Sequence, residues 1–412
     1  MKVLVLSQHF WPETFRINEV VESLRGCNCE VAVLTGQPNY PGGTILPGYC
    51  ATGLGLQSHA GYTIHRVPLV PRGRGTALRL ALNYLSFLSS ASLFGAWLLR
   101  GKRFDVVFVY GTSPILQAIA GIVLKKIKRA QLVIWVQDLW PQSLEVTGFV
   151  RSPRLLGAVA GVVRWIYRHS DLLLVQSRAF VPTVGKIAGG TPVEFHPNPG
   201  ELAFTRSQRA GEPALELGPG FNVVLAGNLG TVQALGTVLD AAELLQPLTE
   251  ARFVLVGSGS RSIWLQQEIA RRGLRNVSMA GRFAPDDMPG IMAQASALLV
   301  TLVRSPTMSQ TVPSKVPAYL AAGRPIIASL DGEGAQVVEE SGAGVACPAE
   351  DAQALAAAVR HLHAASPQKR QQMGESGRRY YQQHFEPEML ARRLADRLRQ
   401  LIAQRSGAGA QE

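Results

Sequence analysis

The sequence predicts an α/β protein made of two doubly wound domains, each a parallel sheet with helices on both faces. Three observations predict it. Near-continuous apolar runs of strand length alternate with helical stretches, which is the pattern of parallel strands buried on both sides. The runs fall into two series of six, and a chain of 412 residues exceeds one ordinary core and suits two domains. Between the series lies a stretch rich in Pro, Gly and polar residues with little periodicity.

The first series comprises residues 2–6, 30–34, 63–67, 105–109, 131–136 and 172–176, giving an N-terminal domain over 1–197. Residues 198–220 read as the linker. The second series comprises 222–226, 252–256, 277–280, 297–302, 325–329 and 344–346, giving a C-terminal domain over 221–378. Residues 379–412 hold an amphipathic helix, strongest over Phe385–Gln404, whose apolar stripe needs a surface. Packing back onto the N-terminal domain would supply one, with the last residues frayed.

Composition narrows the function. With 47% hydrophobic and 17% charged residues the chain is globular. A formal charge of +12 favours a polyanionic partner: nucleic acid, anionic lipid or a nucleotide. No basic block interleaved with aromatics stands out, so nucleic acid is set aside. Cys27, Cys29, Cys50 and Cys347 lack the paired spacing of a zinc site and are too few for a disulfide scaffold, so reduced thiols and a cytoplasmic location are expected. The apolar run in MKVLVLSQHF is too short for a signal peptide and reads as a first strand.

The most informative stretch is TVPSKVPAYLAAGRPIIAS, Thr311–Ser329. Pro313 and Ser314 signal a helix start, Gly323 its C-terminal cap and Pro325 a stop. A short helix then begins near a strand's carboxyl end with Lys315 in its first turn. Open N–H groups, the helix dipole and an ammonium suit a phosphate. Two more turns on the same domain fit that chemistry: Gly227, Asn228, Gly230 and Gln233 after its first strand, and Gly257, Ser258 and Gly259 after its second. Any one of them is also ordinary strand-to-helix punctuation, but three on one domain point to a nucleotide.

The turn after the first strand of the chain, SQHFWPETFRIN, holds no glycine, so the fingerprint of a dinucleotide dehydrogenase is missing. His9, Phe10, Trp11, Glu13 and Arg16 there, with Asn39 and Tyr40 in the next turn, suit a sugar or lipid-linked acceptor, against the plain alternative of a packed loop. Asp138, after the fifth run, is the leading functional carboxylate of this domain. The two sets of strand ends are expected to face each other across a cleft.

Leu80–Leu99 passes without a charge and is flanked by Arg72, Arg74 and Arg79 on one side and Arg100, Lys102 and Arg103 on the other. A membrane span, an interfacial helix and a buried core helix all remain open, the interfacial helix favoured.

Together SQHFWPE with RIN, TGQPNYPGG, VQDLWPQSLEVTG, AGNLGTVQAL, VPSKVPAYLAAGRPIIA and DGEGAQVVEESGAG resemble the bacterial branch of glycosyltransferase family four that includes fucosamine and colanic acid biosynthesis transferases. The resemblance implies a GT-B fold, retaining transfer from a nucleotide sugar, no cofactor and no obligatory metal. The absence of any D-x-D agrees on the metal. It implies a lipid-linked saccharide acceptor in cell-envelope polysaccharide synthesis, a UDP-N-acetyl-L-fucosamine-like donor ahead of GDP-fucose, and an enzyme peripheral to the inner membrane. A nucleotide-sugar epimerase and a non-catalytic nucleotide-binding module are the alternatives. The sequence departs from the family in three places. Asn228 and Gln233 stand where an Arg and a Lys hold the diphosphate, Gln310 and Ala318 replace two glutamates, and Gln137 precedes Asp138 in place of a His. Lys315, Arg282 and Arg304 are then the candidate cations for the diphosphate, with Glu333 as a substitute carboxylate. Lys315, Arg282 and Asp138 are expected to carry catalysis.

Overall fold

The computed structural model describes residues 1–113, 115–146, 152–204 and 214–408. Residues 205–213 of the expected linker, 147 and 148 of the VQDLWPQSLEVTG stretch and 409–412 of the tail lie outside the described residues. The chain divides into two compact units, one formed by Met1–Pro197 with Pro387–Glu412 and the other by Asn198–Glu386.

The first unit runs β1 (Lys2–Leu6), α1 (Arg16–Gly26), β2 (Glu30–Gly36), β3 (Gly55–His59), β4 (Tyr62–Val67), α2 (Ala77–Leu98), β5 (Val106–Gly111), α3 (Ala118–Lys128), β6 (Gln131–Val136), α4 (Gln142–Val146), α5 (Pro153–Arg168), β7 (Leu172–Val175), α6 (Phe180–Ala188) and β8 (Val193–Phe195). Its sheet has the order β3-β4-β2-β1-β5-β6-β7-β8. Every pairing is parallel except β3 with β4. Two of its strands escape the sequence reading. β3 alternates half-buried and exposed positions at the sheet edge, and β8 is three residues long, so neither has the apolar run that marks the others.

The second unit runs β9 (Phe221–Ala226), α7 (Leu235–Leu244), β10 (Ala251–Val256), α8 (Ser262–Arg272), β11 (Val277–Gly281), α9 (Met288–Ala293), β12 (Ala297–Thr301), α10 (Lys315–Ala322), β13 (Ile326–Ser329), α11 (Glu333–Glu340), β14 (Gly344–Cys347), α12 (Ala352–Ala364) and α13 (Pro367–His384). Its sheet, all parallel, has the order β11-β10-β9-β12-β13-β14. Strand order reverses at β1/β5 in one unit and at β9/β12 in the other. Such reversal points open a crevice outside the strand carboxyl ends, where open α/β sheets bind ligands.

The helix that returns to the first unit is α14 (Pro387–Ala408), which corrects the expected boundary at 379. The reason is α13, which stays on the second unit. A Cβ on Gly374 would lie 2.0 Å from the carbonyl oxygen of Gly323, so α13 packs backbone-close on the end of α10. Pro387 then starts a new helix. Leu394, Ala395, Leu398 and Leu401 of α14 are buried with Val20, Val21 and Leu24 of α1. Arg397 forks onto Glu194 at 2.7 and 2.8 Å.

The apolar run over 80–99 forms α2, with Leu80, Asn83, Phe87, Ala91 and Gly95 turned inward. Gly95 allows the close approach, since a Cβ there would meet the Leu34 side chain at 2.6 Å. No helix among the described residues is long and apolar enough to cross a membrane.

Candidate functional site

The nucleotide-side residues gather at the β9/β12 reversal. β9 runs into Gly227 with φ +111° and β10 into Gly257 with φ +138°, both conformations that side chains disfavour. A Cβ on Gly257 would sit 1.9 Å from the Gly227 carbonyl oxygen, and one on Gly259 would sit 2.4 Å from that of Leu229. The two turns therefore lie backbone against backbone, joined by the Leu229 N–H donating to Ser258 O at 3.0 Å.

Helix α10 begins just past Ser314 and ends on Gly323 at φ +68°. No side chain caps its N-terminus; in its first turn Val316 N–H donates to Pro313 O at 2.9 Å and Pro317 has no N–H, which leaves the Lys315 N–H as the donor this turn can offer a ligand. Tyr319, fully buried one turn on, fixes its height: the Tyr319 hydroxyl accepts from Ala226 N–H at 2.9 Å, at the end of β9. Lys315 thereby reaches over Gly227, where a Cβ would approach its Cε to 3.3 Å. The ammonium donates to Gln233 Oε1 at 2.7 Å, and Gln233 is itself held by Thr301 Oγ1 donating to its carbonyl at 2.5 Å. Burial pulls the Lys315 pKa down to about 8. Among the described residues no carboxylate forms an ion pair with it. A half-buried cation held by a neutral amide at the start of a helix is a site for an anion.

The other expected members divide. Asn228 is exposed and Gly230 buried in the same turn. Arg282 is exposed just after β11, two strands from β9. Arg304 is partly engaged: its backbone N–H donates to Glu350 at 3.0 Å, and its guanidinium donates to Ala349 O at 2.6 Å and lies 3.6 Å from Asp331. Ala318 is packed in the core, so no carboxylate role falls there. Glu333 opens α11 and is buried. The preceding Gly332, at φ +77°, lies so close to Ser309 that a Cβ would meet its carbonyl oxygen at 2.0 Å.

In the first unit several residues expected to meet an acceptor also build the turns. Phe10 is fully buried in the core. Glu13 is buried and saturated: Oε1 accepts from the N–H groups of Asn39 and Tyr40 at 2.7 and 2.6 Å, and Oε2 from Phe10 N–H at 3.2 Å and His9 Nδ1 at 3.0 Å. It ties the turn after β1 to the turn after β2. Asn39 is fully buried, donating to Gln37 O and accepting from Arg72 N–H. His9, 4% exposed, stacks on Phe15 with centroids 5.1 Å apart. Surface remains on Trp11, stacked on His59 at 4.1 Å, on Arg16, which is paired with Glu19, and on Tyr40, with the Arg72 guanidinium 5.1 Å from its ring.

Beneath the same turns lies a residue the sequence reading missed. Arg66 in β4 is 1% exposed, donating to Gly36 O, Gln57 Oε1 and Trp11 O and lying 4.9 Å from the Tyr49 ring. No linear signal marks it, because its acceptors come from three other segments.

Glu13→Gln is expected to destabilise this unit by about 3 kcal/mol, since the new amide N–H₂ would face two donors that a carboxylate oxygen had accepted. A urea titration followed by tryptophan fluorescence measures the loss. An unchanged midpoint would show that the four contacts carry nothing.

Asp138 follows β6, half-buried, and Oδ2 accepts from the Ser113 N–H at 3.0 Å and from its hydroxyl at 2.9 Å. Burial raises its pKa, while the two Ser113 bonds oppose the rise. Trp140 Nε1 donates to the same Ser113 hydroxyl at 2.9 Å, so the turns after β5 and β6 are locked together.

Comparison with known proteins follows this division. A "Glycosyl transferase 4-like domain" model matches residues 14–199, and a "Glycosyl transferases group 1" model matches 220–365. The probable glycosyltransferase WbjE of Pseudomonas aeruginosa is 24% identical over 307 residues, 71% of this chain and 73% of its own length. HepE of Anabaena, solved with UDP, superposes with a TM-score of 0.69 at 16% identity, covering 97% of this chain and 100% of its own. Sucrose-phosphate synthase from Thermosynechococcus elongatus superposes at 0.72 with 18% identity, covering 98% and 99%. These likenesses give the GT-B fold.

Proposed function

Since this chain is a glycosyltransferase of GT-B type, each of its units matched by a glycosyltransferase model, we propose that it moves a sugar from a nucleotide donor to a lipid-linked saccharide with retention of configuration, in the synthesis of a cell-envelope polysaccharide. The observation that carries the donor assignment is Lys315: a half-buried cation without a carboxylate, held by Gln233 over Gly227 at the β9/β12 reversal. It receives the diphosphate together with its own backbone N–H at the start of α10, and its charge stabilises the leaving group as the glycosidic bond to the donor breaks. Arg282 adds a second, more exposed cation at the rim, and Glu333 is assigned to the ribose or sugar hydroxyls. In the first unit Asp138 is assigned to the sugar and acceptor hydroxyls, with Trp11, Arg16 and Tyr40 offering the acceptor surface.

UDP is the preferred base, supported by HepE, which is solved with UDP. An N-acetyl-L-fucosamine-like sugar rests on the sequence motifs. The absence of D-x-D supports transfer without an obligatory metal. The acceptor places the enzyme at the cytoplasmic face of a membrane.

A melting panel with UDP, GDP and ADP tests the donor assignment. A nucleotide at a hundredfold excess over its Kd stabilises by about 2.7 kcal/mol, so UDP is expected to raise the transition of the second unit most. Equal shifts by all three, or none, would defeat the UDP assignment.

A further inference from the structure

Ten of the fifteen large apolar residues exposed among the described residues stand on three helices, α2, α3 and α5. On α2 Leu78, Leu82, Leu85, Leu93 and Trp97 form one stripe away from the residues that face the sheet, and Phe94 is exposed near the helix end; Leu78 is 71% exposed and Leu93 70%. Ile127 on α3 and Leu155, Val162 and Trp165 on α5 add to it. The three helices bury their inner sides in the same core, α2 touching α3 and α3 touching α5, so their outer sides make one continuous face. A monomeric protein rarely leaves such a face bare.

Charge says what covers it. Residues 77–98, 118–128 and 153–168 contain no Asp or Glu. They do carry Arg79, Lys125, Lys126, Lys128, Arg154, Arg164 and Arg168. Lys125 is engaged by Asp171 at 2.8 Å, while Lys126, Arg154, Arg164 and Arg168 are exposed. Arg100, just past α2, stands 4.4 Å from the Trp97 ring, a cation placed beside an exposed indole. A second copy of this chain would bring like charges together on such a face. A protein partner of neutral charge would leave the cations unmatched. A bilayer carrying anionic lipid satisfies both features, because its acyl boundary takes Leu, Phe and Trp while its headgroups take Arg and Lys.

We propose that the outer face of α2, α3 and α5 is a docking surface for an anionic membrane, with Trp97 and Trp165 entering the interface and Lys126, Arg164 and Arg168 meeting headgroup phosphates. The surface is built from three helices and not from the apolar run of α2 alone. The proposal rests on the reading that the acceptor is carried on a lipid, but its test contains neither donor nor acceptor, so failure of the transfer reading leaves the outcome untouched.

The full chain is sedimented with vesicles of phosphatidylcholine alone or mixed with phosphatidylglycerol, at low and high salt. The expected result is binding to the mixed vesicles at least about tenfold stronger than to neutral ones, and weaker in high salt. The double variant Trp97→Glu, Trp165→Glu is expected to lose binding about tenfold. Lys126→Gln with Arg164→Gln and Arg168→Gln is expected to lose the preference for phosphatidylglycerol. All these positions are exposed, so melting curves should match the parent. Equal binding to both vesicle types, parent-like binding by both variants, or a solution dimer that Trp97→Glu dissolves would each overturn the assignment, the last in favour of a second copy.

Discussion

Lys315→Ala is expected to lower kcat for sugar transfer on the order of 10²–10³-fold, the loss that follows removal of one preorganised group facing developing negative charge. The size follows from how few groups share the task. Gln233 and Asn228 are neutral, the Arg304 guanidinium is drawn to Ala349 O and Asp331, and Arg282 stands beyond β10. Donor KM should rise as well, since the ground-state diphosphate also carries charge, and single-turnover rates at saturating donor separate the two effects. Lys315→Met keeps the apolar stem over Gly227 and should lose as much.

The same residue gives a dependence on pH with a fixed sign. Its folded pKa, lowered to about 8 from 10.5 by burial, lies below the unfolded value. Below about pH 8 the ammonium is charged in both states. Between about 8 and 10.5 the folded protein has lost a proton that the unfolded chain keeps, so this residue makes stability rise with pH across that window. Donor binding does the opposite: a diphosphate favours the ammonium, so binding takes up a proton above about pH 8 and affinity falls as pH rises. In Lys315→Met both slopes should vanish. Full activity in that variant, with an unchanged affinity profile, would remove Lys315 from the reaction.

What could be read in the sequence was what depends on near neighbours. Pro313, Ser314 and Gly323 delimit α10 through the backbone demands of helix ends, and these act within a few residues. The β9 and β10 turns were legible for the same reason. Glu13 shows the limit. Its residue type and position suited an acceptor site, yet two of its donors come from residues 39 and 40, and only the paired turns reveal that no oxygen is left over. Arg66 is the mirror case, a charge inside a strand that looks like an interruption until Gly36 O, Gln57 and Trp11 O surround it. The uncharged run over 80–99 announced a helix, but hydropathy cannot say which side of an apolar helix is covered. That waits on Phe87 and Gly95 meeting the sheet while Leu93 and Trp97 do not. The start of α14 reads eight residues early in the sequence because Gly374, which seats α13 on α10, looks there like any helix glycine.

Gly257→Ala should cripple donor binding and destabilise the second unit by about 3 kcal/mol or more, though it adds a single methyl group. At φ +138° an alanine is strained whatever the space. Here there is also no space: the Cβ would lie 1.9 Å from the carbonyl oxygen of Gly227 and 2.9 Å from its carbon, and both are backbone. No rotamer relieves that contact, so the turn after β9 must move. Gly227 sits under Lys315 Cε, and Ala226 is held by Tyr319, so the displacement passes to the ammonium and to the start of α10. Gly26→Ala is the matched control, because it closes α1 in ordinary helical geometry with nothing within 4 Å of its Cβ, and it should be neutral or stabilising by about 0.5–1 kcal/mol. Differential scanning calorimetry with and without UDP reads both effects. Gly257→Ala should lower one transition and lose the UDP shift, while Gly26→Ala keeps it. If the two variants behaved alike, the backbone contact between the turns would not be what holds Lys315 in place.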